Sequence, residues 1–402
     1  MTTNASVDIV IFGGGVAGLW MLNRIRQAGF AAILCESTSL GGGQTCKSQG
    51  IIHGGMKYAL QGQLTAEAAA LSDMPARWRT CLQGAGEIDL SRVTVLSDKH
   101  YLWAPNKLTA KLAGGLASVT LASKVEPLDK SDYPILFQHP AFKGEVFALD
   151  EMVLDTHSLI RELVRANQDA IFKIQPTSPQ EWEWDTAGRV IAANVYCGSR
   201  AVRLEAQQFI FAAGSGNECL AKPLPQVAMQ RRPLHMVMAK VPPNWLLYAH
   251  CMGLSTRPRV TITTHHAQDG SLIWYIGGML AEEGVQRDTA AQIQAAKQEL
   301  SSLFPWLSFD EVEWATLRVD RAEPLQADAL KPNQAYYKAI QNMVITWPVK
   351  LALAPQLADE VLAHMRSIPL TPQLLDTQAL RAWPMPPLSQ PIWETSFCHV
   401  HA

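Results

Sequence analysis

The chain has 402 residues, 48% hydrophobic and 17% charged, with a formal net charge of -2; this is enough apolar material for a large core in two or three domains. The near-neutral balance, without any Lys/Arg block, excludes the basic footprint that a nucleic-acid partner demands. The N-terminal run MTTNASVDIVIFGGG has no basic segment ahead of an apolar one and breaks at glycine well before ~20 apolar residues, so neither a signal peptide nor a spanning helix is expected and the expected location is cytoplasmic.

Residues 8–12 form an apolar run that stops at glycine, and a helical spacing of Val16, Leu19, Trp20, Leu22 and Ile25 then runs to Gly29 before a second apolar run at 31–35. This is a β-α-β unit, the element from which parallel sheets with right-handed crossovers are built. Helices are expected at 65–83 and 106–118, and an extended stretch at 144–154 leads into a helix at 156–167 capped by Asp155 or Thr156. A strand at 170–174 precedes a hairpin in EWEWDTAGRVIAANVYC that turns at 185–188, and a further apolar run at 208–213 ends at Gly214. From about 235 to 320 the pattern becomes antiparallel: HMVMAKV, then RVTITTHH and SLIWYIGG around a turn at 268–271, a helix at 288–303, and VEWATLRVD. A strand at 342–347 and a helix at 351–365 return to the first style, so the first domain is expected to be discontinuous. The Pro-rich tail is expected to run over the surface.

Gly13, Gly15 and Gly18 match Gly-x-Gly-x-x-Gly between a strand and a helix. Gly13 permits the tight turn, Gly15 lets backbone approach a pyrophosphate, and Gly18 allows close helix packing; the pyrophosphate then meets the helix N-terminus at Val16 and Ala17. Glu36 closes the second strand, where a carboxylate accepts ribose hydroxyls and disfavours a 2'-phosphate. The connection that follows, from Ser37 past Gly43 to KSQGIIHGGMKY, is too long and glycine-rich for a nicotinamide domain, where a crossover helix soon follows. Its apolar residues argue against disorder, so it reads as a backbone cradle along a ligand longer than ADP, and FAD fits.

With Gly13 to Gly18, Glu36, the loop 41–58, FIFAAG (209–214) and LRVDRAEP (317–324), the chain resembles the D-amino-acid oxidase/glycerol-3-phosphate dehydrogenase superfamily of FAD-dependent oxidoreductases over about residues 5–368. IIHGGMKY is most similar to the glycerol-3-phosphate dehydrogenase branch, and VLDTHSLIRELV is similar to its strand-to-helix entry. The resemblance implies an α/β fold. A Rossmann-type FAD-binding domain would comprise 1–95, 145–225 and 315–370, an α+β substrate domain on a mainly antiparallel sheet 96–144 and 226–314, and a C-terminal extension 371–402. It implies that Thr45, Cys46, Lys47, Gln49, Gly50 and Ile51 line a non-covalently held FAD, that Ala212, Ala213 and Gly214 pass beneath the pyrophosphate side, that YIGGML (275–280) belongs to the substrate domain, and that Arg318 faces the pocket. The chain departs from the family at Trp347-Pro348-Val349-Lys350-Leu351, where a glycine-rich turn is usual, and at Thr45-Cys46.

Lys350, at a helix start where Pro355 fits the first turn, is either a positive charge beside the flavin pyrimidine or a solvent-facing residue. His53 is a base or hydrogen-bond donor at the reactive side, or a neutral histidine satisfied by backbone. Arg318 either holds an anionic substrate group or pairs with Asp320 or Glu323. Tyr275 either offers its hydroxyl to substrate or packs. The seven cysteines form no Cys-x-x-Cys pair and read as reduced thiols. Adjacent His265 and His266 face opposite ways on a strand and Cys398 and His401 lie in a tail, so no metal is expected. The reading is an FAD-dependent oxidoreductase that takes hydride from a CH-NH or CH-OH carbon of a small anionic substrate and passes electrons to oxygen or another acceptor. Its rivals are an FAD-binding protein without turnover and a colourless NAD dehydrogenase.

Overall fold

The computed structural model describes residues 3–55, 71–106, 125–177, 181–253, 257–325, 332, 334–370 and 376–397. The helix expected at 106–118 lies outside these residues apart from Asn106, as do Met56, Lys57, Tyr58, Cys398 and His401. The described part of the helix expected at 65–83 contains α2 (Met74–Leu82).

The alternating and continuous apolar runs near the N-terminus form β1 (Thr3–Phe12) and β2 (Ala32–Glu36), joined by α1 (Val16–Gln27). They lie in a parallel core with β9 (Ile171–Lys173), β12 (Arg200–Phe211) and β19 (Met343–Trp347), in the order β19-β12-β1-β2-β9. The hairpin β10 (Trp182–Trp184) and β11 (Val190–Cys197) extends the first half of β12 antiparallel, and β18 (Tyr336–Ile340) pairs with β19. Ile9, Ile11 and Leu34 pack with α1, α3 (Thr156–Arg165) and α7 (Ala354–Ser367). Val10, Phe12 and Ile33 pack on the opposite face against Trp182, Phe209 and Phe211. Burial on both faces is why these strands read as near-continuous apolar runs.

Register decides where the site falls. Phe12 pairs with Cys35 on one side and Phe211 on the other, and Phe211 pairs with Ile345. The carboxyl ends of four neighbouring parallel strands therefore stop at one edge, the place where open α/β sheets bind ligands.

A second sheet has the order β17-β13-β16-β15-β14-β5-β7-β6, comprising β5 (His100–Ala104), β6 (Val125–Pro127), β7 (Glu145–Leu149), β13 (Met229–Val241), β14 (Ala249–Cys251), β15 (Thr261–His266), β16 (Leu272–Gly277) and β17 (Glu313–Pro324). All its pairs are antiparallel except β14 with β5. One face is covered by α6 (Thr289–Leu303), which buries Ala296, Leu300 and Leu303. This sheet corrects two expected boundaries: residues 145–149 and 315–324, grouped above with the cofactor domain, belong to it, because β7 pairs with β5 and β17 pairs with β13 from Met229↔Pro324 to Lys240↔Glu313. Their apolar content alone could not say which sheet they joined. A third, small sheet is formed by β3 (Ile51–Ile52), β8 (Met152–Leu154) and β4 (Val95–Ser97).

The described part of the tail is not a loose surface run. Ser6 bridges Asp376, Leu40 bridges Leu388, and α8 (Ile392–Ser396) buries Ile392 and Trp393 against Tyr275 and Val319 of the second sheet, with Trp393 stacked on His265 at 4.7 Å. No helix among the described residues is long and apolar enough to cross a membrane.

Candidate cofactor and substrate site

The loops that leave the carboxyl edge of the parallel strands line a cavity of about 1660 Å³ that continues along the second sheet. That is more than the ~300–1,000 Å³ of an ordinary small-molecule pocket, so it has room for an extended dinucleotide together with a second, smaller molecule.

At one end sits the glycine turn. Gly13 has φ +114, and a Cβ there would lie 2.5 Å from the Ala212 carbonyl oxygen; one on Gly18 would lie 1.9 Å from the Gly13 oxygen. Both glycines are required by backbone contact, and Gly18 itself is behind the wall. Gly15 differs: its Cβ would meet only Thr45 Oγ1, at 3.3 Å, so its surroundings are open toward the cavity. Gly15 is also the N-cap of α1 and makes no side-chain capping bond. The Val16 N–H donates to Thr45 Oγ1 at 3.1 Å, and Val16 and Ala17 line the wall, so the first turn of the helix, with its positive dipole end, abuts the cavity.

Glu36 stands beside it. One carboxylate oxygen accepts the Gly14 N–H at 2.7 Å and the other accepts the Thr38 N–H and hydroxyl at 2.6 and 2.8 Å. An ionised carboxylate offers about four acceptor positions, so with three filled, room remains for one hydroxyl of a ligand. Ser37, Thr38 and Gly43 line the same stretch, and nothing lies within 4 Å of a Cβ built on Gly43. Thr38 is a partner the sequence reading missed; nothing in a lone threonine signals it.

Past Gly43 the wall is formed by Thr45, Lys47, Gln49, Gly50 and Ile51. Gly50, at φ +73, presses against Leu154, whose oxygen would be 2.1 Å from a Cβ. Cys46 is on the other side of the loop, 3% exposed, with its thiol on the Thr156 oxygen at 3.9 Å, and does not line the cavity. That corrects the expectation for Cys46: Gly41, at φ +76, turns the loop so that this side chain packs inward. Opposite lie Ala212, Ala213 and Gly214, just before the short α4 (Asn217–Leu220), and then Pro348, Val349, Lys350 and Leu351 ahead of α7. Val349 has φ +63, and the Lys350 N–H donates to the Pro348 oxygen at 2.6 Å, a three-residue turn that strains a β-branched residue. Pro355 occupies the first turn of α7.

Tyr275 is fully buried and does not line the cavity; its hydroxyl donates to the Lys47 oxygen at 2.8 Å. The expected offer of this hydroxyl to a substrate is corrected accordingly. Arg318 reaches the cavity rim, but its two terminal nitrogens donate to the Val285 and Arg287 oxygens, each at 2.6 Å. It therefore braces the turn after α5 (Met279–Glu283), pairing with neither Asp320 nor Glu323. Asp320 pairs with Arg231 at 3.1 Å and Glu323 with Arg232 at 2.9 Å. Arg231, Arg232, Arg257 and Arg321 also line the cavity. Glu282 lies between Arg257 at 3.0 Å and Arg321 at 4.0 Å.

His53 lines the cavity with its side chain 17% exposed, and its Nδ1 is 3.1 Å from Glu151 Oε2. His250, from β14, also lines it, its Nδ1 2.8 Å from the Thr261 hydroxyl and its ring centroid 6.0 Å from that of His53 and 4.2 Å from that of His100. Burial alone would raise the Glu151 pKa, but the charge and hydrogen bond of His53, the charge of His100 and the Gly54 N–H outweigh it and hold the carboxyl below its ordinary range. Glu151, His100 and His250 have no motif in the sequence. Sheet pairing alone assembles them.

A model of the DAO family, described as FAD dependent oxidoreductase, matches residues 8–333. The chain is 46% identical over 395 residues to the probable FAD-dependent oxidoreductase PA4991 of Pseudomonas aeruginosa, spanning 98% of both chains. The crystal structure of that protein superimposes with a TM-score of 0.83 at 42% identity, over 98% of this chain and 99% of that one. Two more distant structures share the fold. Glycine oxidase from Geobacillus kaustophilus has a TM-score of 0.63 at 14% identity over 92% of this chain and 97% of its own. The L-alpha-glycerophosphate oxidase of Mycoplasma pneumoniae, with FAD bound, has a TM-score of 0.62 at 14% identity over 95% and 99%. On these matches and the glycine-lined slot at the parallel strand ends, the chain belongs to the DAO family of FAD-dependent oxidoreductases.

Proposed function

We propose that FAD lies along the loop from Gly13 to His53 and that the enzyme oxidises a CH-OH or CH-NH carbon of a small anionic substrate held at the far end of the same cavity. The residues fit the cofactor. Gly15 is open where a pyrophosphate needs close backbone approach, the first turn of α1 supplies N–H groups, and Glu36 retains acceptor capacity. When bound, the flavin accepts a hydride, and Lys350 and the start of α7 supply positive potential for the charge that arises on the reduced ring. The chain's own residues bind, orient and handle protons.

The observation that carries the substrate class is the group Arg232, Arg257 and Arg321, which lines the same cavity as His53. Guanidinium forks suit carboxylate or phosphate oxygens. We assign the anion-holding role to Arg321 with Arg257 rather than to Arg318, whose two terminal nitrogens each already donate to a backbone carbonyl, at 285 and 287. The test is anaerobic bleaching of the flavin spectrum by a panel of hydroxy acids, polyol phosphates and amino acids with their uncharged analogues. Anionic members are expected to bleach the flavin fastest; equal rates with the uncharged analogues would remove the anion site from the reading. A spectrum that responds only to dithionite would remove the hydride chemistry.

A further inference from the structure

We propose that Glu151 is a positioning residue that fixes His53 as the proton acceptor of the reaction. The inference rests on the reading that this cavity oxidises a CH-OH or CH-NH carbon, and it begins with register. Antiparallel β3 and β8 pair Ile51 with Val153 and Ile52 with Met152. One step further, residue 53 falls opposite residue 151, and directly opposed residues project their side chains to the same side within ~5 Å. The backbone thereby delivers a carboxylate to the imidazole. Glu151 sits where the chain passes from β7 of the substrate sheet to β8, while its neighbour Asp150 points out to an exposed pair with Arg79. The carboxylate is 2% exposed: Oε1 accepts the Gly54 N–H at 2.9 Å and Oε2 faces His53 Nδ1 at 3.1 Å.

An ionised carboxylate can only accept hydrogen bonds. The proton between the two groups therefore sits on His53 Nδ1, and in the neutral ring it is Nε2, on the opposite edge, that carries the lone pair. This edge belongs to a ring that lines the cavity. As the substrate's carbon-bound hydrogen leaves with its electron pair to the flavin oxidant, the proton on the adjacent oxygen or nitrogen passes to Nε2 and the C=O or C=N bond closes. The imidazolium so formed is paired with Glu151 across 3.1 Å. The charge of His100 on β5 acts on the same carboxylate, a ring nitrogen of His250 on β14 lies within 4.8 Å of it, and His250 is in turn held by Thr261, its partner across the β14–β15 ladder. The Glu151 carboxylate is therefore shared by a cluster of rings rather than isolated.

The test uses the flavin-loaded protein as wild type, Glu151→Gln and Glu151→Asp. Glu151→Gln is expected to retain flavin and to slow anaerobic bleaching roughly 10²-fold, within the range of general-base catalysis. Its KM should change little, and the acid limb of its pH–rate profile should move down by roughly one pH unit, as loss of a nearby opposite charge requires. Glu151→Asp is expected to recover part of the rate. Nitrogen-15 NMR of labelled histidines without substrate reads the tautomer directly: His53 should carry its proton on Nδ1 in wild type and lose that preference in Glu151→Gln. A wild-type His53 protonated on Nε2, or a Glu151→Gln enzyme with unchanged rate and pH profile, would overturn the proposal. So would stoichiometric metal in the purified protein that is lost with Glu151, because His53, Glu151 and His250 bring ligand atoms within 4.8 Å of one another. If no substrate bleaches the wild type, the functional reading fails and the tautomer alone decides the role of Glu151.

Discussion

Gln49 donates its side-chain amide to the Tyr275 carbonyl at 2.8 Å and to the Thr261 carbonyl at 3.0 Å, while the Tyr275 hydroxyl donates back to the same loop, at the Lys47 carbonyl, at 2.8 Å. The loop that lines the cofactor slot is thereby stitched to the middle of the substrate sheet. Tyr275→Phe removes one donor and strands a carbonyl, a loss of about 1–3 kcal/mol. The expected outcome is lower stability in urea and weaker flavin retention with an unchanged KM. A raised KM at full flavin content would return the hydroxyl to the substrate.

Gly15 and Gly18 should separate cofactor binding from folding. A Cβ at 15 meets only the Thr45 hydroxyl, and the backbone at φ -81, ψ -178 is extended, so Gly15→Val is expected to fold and to purify without flavin. Gly18→Ala would place a methyl 1.9 Å from the Gly13 oxygen and should lose stability itself. Circular dichroism with the 450 nm absorbance distinguishes the two; wild-type flavin content in Gly15→Val would refute the placement.

Arg321→Ala should raise KM for an anionic substrate about tenfold or more, since truncating one side of a charged contact costs about 2 kcal/mol or more. Arg318→Ala should leave KM nearly unchanged while lowering the melting temperature, because it releases the Val285 and Arg287 carbonyls. The reverse ranking in steady-state kinetics would restore the original assignment.

Val349 holds a left-handed conformation at φ +63 that strains an L residue by ~1–3 kcal/mol. Glycine there relieves this strain at about 1 kcal/mol of added chain entropy. Val349→Gly is therefore expected to be no less stable than wild type in urea unfolding, and a loss above about 1 kcal/mol would contradict the strain.

His265 is buried between Thr263 and Trp393, and burial pushes its pKa down to about 3. An unfolded histidine takes its proton near 6.5. Above that pH the residue contributes no pH dependence. Below it, the unfolded state binds a proton that the folded state refuses, so stability falls toward pH 3 by up to about 1.4 kcal/mol per unit. His265→Gln should flatten this part of the profile in denaturant titrations between pH 4 and 7; an unchanged slope would show that other groups set it.

What could be read before the fold was known was whatever the backbone demands locally. The spacing of Gly13, Gly15 and Gly18 follows from one turn, and Glu36 follows from the end of the next strand, so the parallel domain was legible. The helix expected at 288–303 announces itself by period and is found at 289–303. Side-chain direction was not legible. Cys46 and Thr45 are adjacent, yet only one faces the slot, and Arg318 turned on a neighbouring loop whose position no pattern encodes. Glu151 and His53 lie 98 positions apart and meet through a two-residue ladder too short to leave a periodic trace.

The parallel sheet joins β1 and β19 through β12, so strands from the first and last parts of the chain share one platform. On a ribosome, the Gly13 turn and Glu36 emerge early, but the Pro348–Leu351 wall is synthesised more than 300 residues later. Nascent protein must hold a half-built nucleotide platform, its apolar strands uncovered, through most of translation. The complete slot can therefore assemble only once residues 348–351 have been made.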